Sequence, residues 1–184
     1  MGIFILNITD GNLNKVKKWL EENNFDILKT VVASGGASRK RLDKCLEKNK
    51  WIEVIDTLSD RGFECVFSVT RWERKSLSEI AEKCKAMLKL FAAEKGVLVR
   101  VTFLKVCDLF VGMDSGAMCL AAVVGTRCIA VFGYTDSLQI GHVPLERHVI
   151  IKKDDISGRY CLKNYSAVRG LLNTVDVFLH CVCR

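Results

Sequence analysis

This chain of 184 residues has one proline, an aromatic share of only 8%, and no apolar run long enough to cross a membrane. Its richest apolar stretches are interrupted by Asp114, Arg127 and glycines, whereas a spanning helix needs about 20 consecutive apolar residues. Membrane contact is therefore expected to be peripheral at most. No secretory signal precedes the nine cysteines. They lie scattered in apolar runs (Cys65, Cys84, Cys107, Cys128), which argues against a disulfide scaffold and for buried thiols in a reducing cytoplasm. Cys181 and Cys183 beside His180 resemble half of a metal site, but no second cluster with zinc-ligand spacing accompanies them, so no metal is expected. A basic stripe interleaved with aromatics is missing too, as is any zinc-finger pattern, and nucleic acid is not an expected partner. The net charge of +7 suits an anionic ligand without choosing one. At 49% hydrophobic, the length supports one good core and not two full nucleotide-binding domains.

What is present centres on Asp108 to Asp136, DLFVGMDSGAMCLAAVVGTRCIAVFGYTD. Asp108-Leu109-Phe110-Val111 reads as a buried strand ended by Gly112. Asp114 and Ser115 offer a side-chain oxygen where a helix needs its N-cap. Met118, Ala121, Ala122 and Val124 form the buried face of that helix, and Gly125 closes it. Cys128 to Phe132 is the next strand, with Gly133 to Asp136 as a loop at its carboxyl end. Parallel sheets bind ligands at such edges. The unpaired N–H groups and dipole of the helix start favour an anion, and Gly116 presents no Cβ to an approaching phosphate. Asp114, Ser115, Gly116, Ala117 and Met118 are thus read as a diphosphate seat, although the same residues also fit an ordinary capped helix.

Upstream, Leu13, Val16 and Leu20 give Asn12 to Asn23 helical spacing, with Asp10 or Asn12 as cap. Leu28 to Ala33 predicts a strand. The small-residue loop Ser34 to Ser38 follows, then Arg39, Lys40, Arg41 and Lys44, a combination that suits phosphate and equally fits a charged surface loop. Trp51, Val54, Ile55 and Leu58 mark an amphipathic helix that Gly62 ends before the strand Phe63 to Val69. Leu77, Ile80, Ala81, Cys84, Met87, Leu88 and Phe91 predict one side of a single long helix. Val97 to Phe103 reads as a strand, His148 to Ile151 as another, and Val168, Leu171, Leu172, Val175 and Leu179 as the buried face of a last helix. His142 stands alone on a polar loop with Gln139 and Pro144, and is expected to be a surface histidine.

Gly112, Asp114, Ser115, Gly116, Met118, Leu120, Ala121, Ala122, Gly125, Phe132, Gly133, Thr135 and Asp136 together resemble the C-terminal signature of the bacterial heptosyltransferases, glycosyltransferase family 9. Cys119 stands where that family has a histidine beside the donor's phosphates. A neutral thiol weakens any charge-assisted contact from this position. Arg61 to Phe67 is similar to the family's R-G-[YF]-x-V-V strand. Glu73 matches the glutamate that follows it and accepts from ribose hydroxyls, while Val69 and Thr70 replace two glycines. Ser38 and Lys44 match the family's phosphate-binding loop and lysine, Phe103 to Cys107 its short helix before the signature strand, and Tyr160 to Asn164 the approach to its last helix.

The resemblance implies an α/β fold, a Rossmann-like parallel sheet with helices on both faces, equivalent to the C-terminal half of a GT-B glycosyltransferase. Residues 1–24 would be a linker-derived strand and helix, and residues 25–184 the nucleotide-sugar-binding domain. It further implies an ADP-sugar donor, ADP-heptose in the family, held by Ser38, Lys44, Glu73, Asp114, Ser115, Gly116, Ala117, Met118 and Cys119. No cofactor is implied, and no catalytic residue falls within the chain. The acceptor and the catalytic base would come from a first domain, expected to be separately encoded. A different class, a non-catalytic remnant or stand-alone nucleotide-sugar-binding module, is the alternative that Cys119 and the two replaced glycines suggest.

Overall fold

A computed structural model describes residues 6–26, 30–34, 45–92, 96–132, 148–153 and 160–163, with 152–153 and 160–163 described by backbone alone. The elements run α1 (Asp10–Glu22), β1 (Thr30–Ser34), α2 (Lys48–Asp60), β2 (Glu64–Val69), α3 (Arg74–Ala81), β3 (Lys89–Ala92), α4 (Val97–Val106), β4 (Leu109–Met113), α5 (Gly116–Val123), β5 (Arg127–Phe132), β6 (His148–Lys153) and β7 (Tyr160–Lys163). The sheet order is β3-β2-β1-β4-β5-β6-β7. Strands β3 to β6 are all parallel to their neighbours, in the Rossmann order that the sequence leads one to expect. The backbone of β7 runs antiparallel to β6. It forms a sheet edge at the segment read as the approach to a last helix, and residues 164–184 lie outside the described residues.

Two cores follow from strand periodicity, since successive side chains point to opposite faces. On one face lie Val31 and Ala33 of β1, Leu109, Val111 and Met113 of β4, and Ile129 and Val131 of β5, packed against Trp51, Val54, Ile55 and Leu58 of α2 and Leu77 and Ile80 of α3. On the other lie Val32, Phe110, Cys128, Ala130 and Phe132, covered by Val16 and Leu20 of α1, by α4, and by Ala117, Met118, Ala121 and Ala122 of α5. The helices therefore lie on both faces, as expected. Because both faces of the sheet are covered, its strands read as continuous apolar runs.

Three local readings change. The cap of α1 is Thr9, whose hydroxyl accepts from the Asn12 N–H at 3.4 Å, rather than Asp10 or Asn12. The long helix expected from Leu77 to Phe91 is instead α3, a turn, and β3. Asp56 of α2 accepts the N–H groups of Lys85 and Ala86 at 2.8 and 3.1 Å, which holds the chain in the turn. Within β3, Leu90 and Ala92 face one core and Phe91 the other, the alternation of a strand. Val97 to Phe103 is helical, not a strand. Val99, Val101, Thr102, Phe103 and Leu104 are all buried, so packing on several sides overrides the β-branched propensity of this run. Phe103 stacks on Phe91 with centroids 4.0 Å apart, and Trp19 of α1 meets both rings edge-on.

Candidate functional site

β1 and β4 are neighbours, yet the chain proceeds outward from them in opposite directions, so their carboxyl ends flank the sheet's topological switch point. Open parallel sheets leave a crevice there. In this protein a cavity of about 580 Å³ opens at that place. Ser34 ends β1 beneath it, Thr70, Trp72 and Glu73 come from the turn after β2, and Arg100 reaches in from α4. The opposite wall is α5, through Ser115, Gly116, Ala117, Cys119, Leu120 and Val123.

The start of α5 is built as the sequence indicates. Ser115 is the N-cap, extended at φ −154°, and its hydroxyl accepts from the Met118 N–H at 3.4 Å. The Cys119 N–H donates to the Ser115 carbonyl. The N–H groups of Gly116 and Ala117 are left without an acceptor among the described residues, as the first turn of a helix requires. Both residues line the cavity. A Cβ built on Gly116 would meet nothing within 4 Å, so the glycine is not needed for internal packing.

Gly112 does not end its strand. It lies inside β4 opposite Ser34, where a Cβ would come within 2.9 Å of the Phe110 ring and 3.0 Å of the Ser34 carbonyl oxygen. Close packing below the crevice thus explains this glycine.

Glu73, Ser115, Gly116, Ala117 and Cys119, all singled out in the sequence, are brought to one cavity. Met118 is fully buried in the core between α5 and the sheet, and does not line the cavity. Asp114 also lies outside the lining; its N–H donates to the Val131 carbonyl at 3.0 Å, and it is 7% exposed. Ser38 and Lys44, like Gly133 to Asp136 and His142, lie outside the described residues. Glu73, only 6% exposed, takes the N-cap position of α3, where its Oε2 accepts from the Thr70 N–H at 2.9 Å and from the Thr70 hydroxyl. The exposed Cys119 thiol is pushed above its ordinary pKa by desolvation and by the Asp114 carboxylate, which keeps it neutral. No group of three or more histidine, cysteine or acidic side chains among the described residues is arranged to hold a metal.

Arg100 is the cavity residue that sequence reasoning passed over. It interrupts an apolar, β-branched run, and its neighbours at 99 and 101 are buried. Its Nε donates to Ser68 Oγ at 2.8 Å and its Nη2 to the Ser68 carbonyl at 3.4 Å. Burial lowers its pKa, and the Glu73 carboxylate opposes that shift. A charged residue alone in such a run was the available signal, because burying a guanidinium without a role costs several kcal/mol.

Residues 12–170 match the family model of glycosyltransferase family 9 (heptosyltransferase). Lipopolysaccharide heptosyltransferase 3 of Escherichia coli is 30% identical over 102 residues, which are 54% of this chain and 30% of that protein. Among solved structures, the glycosyl transferase family 9 protein of Veillonella parvula superposes with a TM-score of 0.75 at 14% identity, over 95% of this chain and 53% of its own. The E. coli heptosyltransferase WaaC with ADP superposes with a TM-score of 0.61 at 20% identity, over 85% and 47% respectively. This chain thus spans less than a third of the curated relative and about half of these solved chains. At such identities the structural likeness establishes the fold. Among the described residues, no helix is long and apolar enough to cross a membrane.

Proposed function

We propose, from the premise that this chain belongs to glycosyltransferase family 9, that its switch-point cavity binds a nucleoside-diphosphate sugar, ADP-heptose in particular, for synthesis of a lipopolysaccharide core-type glycan. The observation that carries this reading is the open start of α5. Gly116 and Ala117 line the cavity with N–H groups that have no acceptor among the described residues, and a diphosphate would satisfy them while meeting the positive end of the helix dipole. Ser115 sets the geometry of that turn, and Glu73 keeps a second carboxylate oxygen for a ribose hydroxyl. In this reading Ser38 and Lys44, which lie outside the described residues, would add a hydroxyl and a cation. Sugar transfer develops negative charge on the departing diphosphate, and fixed donors at that position stabilise it without reorganising.

Transfer also requires an acceptor hydroxyl held against the sugar carbon and a group that takes its proton. We assign both tasks to parts of the enzyme outside the matched residues 12–170. A lipopolysaccharide-type acceptor places this reaction in the cytoplasm, peripheral to the inner membrane.

Calorimetry with ADP tests the reading. Wild-type protein is expected to bind, and Gly116→Asp to weaken binding at least about tenfold, since an added carboxylate repels the phosphates. The melting temperature should hold, because the new side chain enters open space. Failure of the wild type to bind ADP, or unchanged binding in Gly116→Asp, would overturn the assignment, and the former would favour a remnant.

A further inference from the structure

We infer that Arg100 recognises the nucleoside half of the ligand, its guanidinium serving as a fixed flat shelf on which the base stacks. This rests on the donor-binding reading above and extends it to a side chain outside the family signature. Three observations carry it. First, Arg100 lines the cavity, and bonds from its Nε and Nη2 to a single residue, Ser68, hold the plane of its guanidinium. Ser68 is itself fully buried at the end of β2, so the anchor is rigid. Second, the local charge is compensated. The Glu73 carboxylate acts electrostatically on Arg100, and two of the guanidinium's hydrogen-bonding positions are already engaged, which makes it a poor hook for a dianion. The anion seat is the start of α5, whose first turn carries no acidic residue and whose Gly116 and Ala117 N–H groups have no acceptor among the described residues. What Arg100 retains is its face, and guanidinium planes stack well on aromatic rings once desolvated. Third, the wall contributed by α5 includes Leu120 and Val123, apolar surface suited to a flat heterocycle.

The reading therefore divides the cavity, with phosphates at Gly116 and Ala117, ribose at Glu73, and the base at Arg100. It also explains why an arginine sits in the helix V-L-V-R-V-T-F-L-K-V between the buried Val99 and the buried run Val101 to Leu104.

The test compares ADP, adenosine and pyrophosphate by calorimetry on wild type, Arg100→Met and Arg100→Lys. Methionine preserves length without plane or charge, and lysine preserves charge without the plane. Both variants should weaken ADP and adenosine by a similar factor, roughly three- to tenfold, and leave pyrophosphate unchanged. Equal loss of pyrophosphate and ADP would show an anion hook instead, and full retention by Arg100→Lys would show that charge suffices; either result overturns the inference. If Arg100→Met melts early, Ser68→Ala supplies the second arm, since it unpins the plane while keeping the arginine. Unchanged adenosine affinity in both Ser68→Ala and Arg100→Lys also overturns the inference. Failure of the wild type to bind ADP removes the donor reading and this one together, whereas wild-type binding that Arg100→Met leaves intact removes this one alone.

Discussion

Cys119 is the residue at which this chain departs from its family in the middle of an otherwise matching signature. It lines the cavity, is exposed, and is kept as a neutral thiol by desolvation and by Asp114, so it contributes no charge-assisted bond to a phosphate. Cys119→His restores a nitrogen donor at the same point of α5, one residue beyond the turn whose N–H groups face the cavity. The expected gain in ADP affinity is that of one charge-assisted hydrogen bond, on the order of 1.5 kcal/mol, read by calorimetry near pH 6 where an imidazole is substantially protonated. Unchanged or weaker binding would mean that the start of α5 no longer holds phosphates in the family's geometry. At this scale the sequence was informative for residues whose role is local. The helix start offered Asp114 and Ser115 as N-cap, and Ser115 takes the position. Met118, read as part of the buried face of that helix, is buried, whereas Gly112 was taken as a strand end because its neighbours, Phe110 and the Ser34 carbonyl, become visible only once β1 and β4 pair.

At the scale of elements, legibility depended on whether one face or several are buried. α2 buries Trp51, Val54, Ile55 and Leu58 and leaves the rest of its surface less covered, and its period stands out. By contrast, α4 is apolar nearly all round, so it carries no period to read, and its valines point to a strand. β3 was hidden by an accident of spacing, because Cys84, Met87, Leu88 and Phe91 continue the helical register of α3 although Met87 is exposed. What marks the true start of α4 is Gly96, at φ +98° in the region that L side chains rarely adopt. A Cβ there meets no atom within 4 Å, so the cost of Gly96→Ala is backbone strain alone. It should destabilise the protein by about 1–2 kcal/mol, seen as a lower denaturant midpoint with an unchanged slope. An unchanged midpoint would mean that the chain enters α4 by another conformation.

At the scale of the whole molecule, the alternation of strands and helices announced a parallel α/β sheet, and the order of strands decides where its crevice lies. No window of sequence states that β1 and β4 are neighbours. That adjacency brings Ser34, Glu73, Arg100 and Ser115 to one place, and it is why Arg100 was not found in advance. The same double-sided burial has a consequence for stability at high pH. Cys107 on the approach to β4 and Cys128 on β5 are enclosed in the core, and burial pushes both thiols up. Cys65 on β2, 2% exposed, is raised from 9.0 to about 12 by burial, with Cys84 and Asp56 adding to the shift. A thiol whose folded value exceeds its unfolded one binds its proton more tightly in the native state. Its contribution is therefore complete below the unfolded value near 9, and is lost as pH rises from there toward the folded value. Each such group weakens the fold by about 1.4 kcal/mol per pH unit within that window. Unfolding free energies from denaturant titrations should hold from pH 7 to 8.5 and fall steeply between pH 9.5 and 11. Lysines and tyrosines also titrate in that range, so the decisive comparison is Cys65→Ala, whose curve should fall less steeply than that of the wild type by about one group's share. Parallel curves would show that Cys65 keeps no special hold on its proton, and that alkaline loss of the fold has another source.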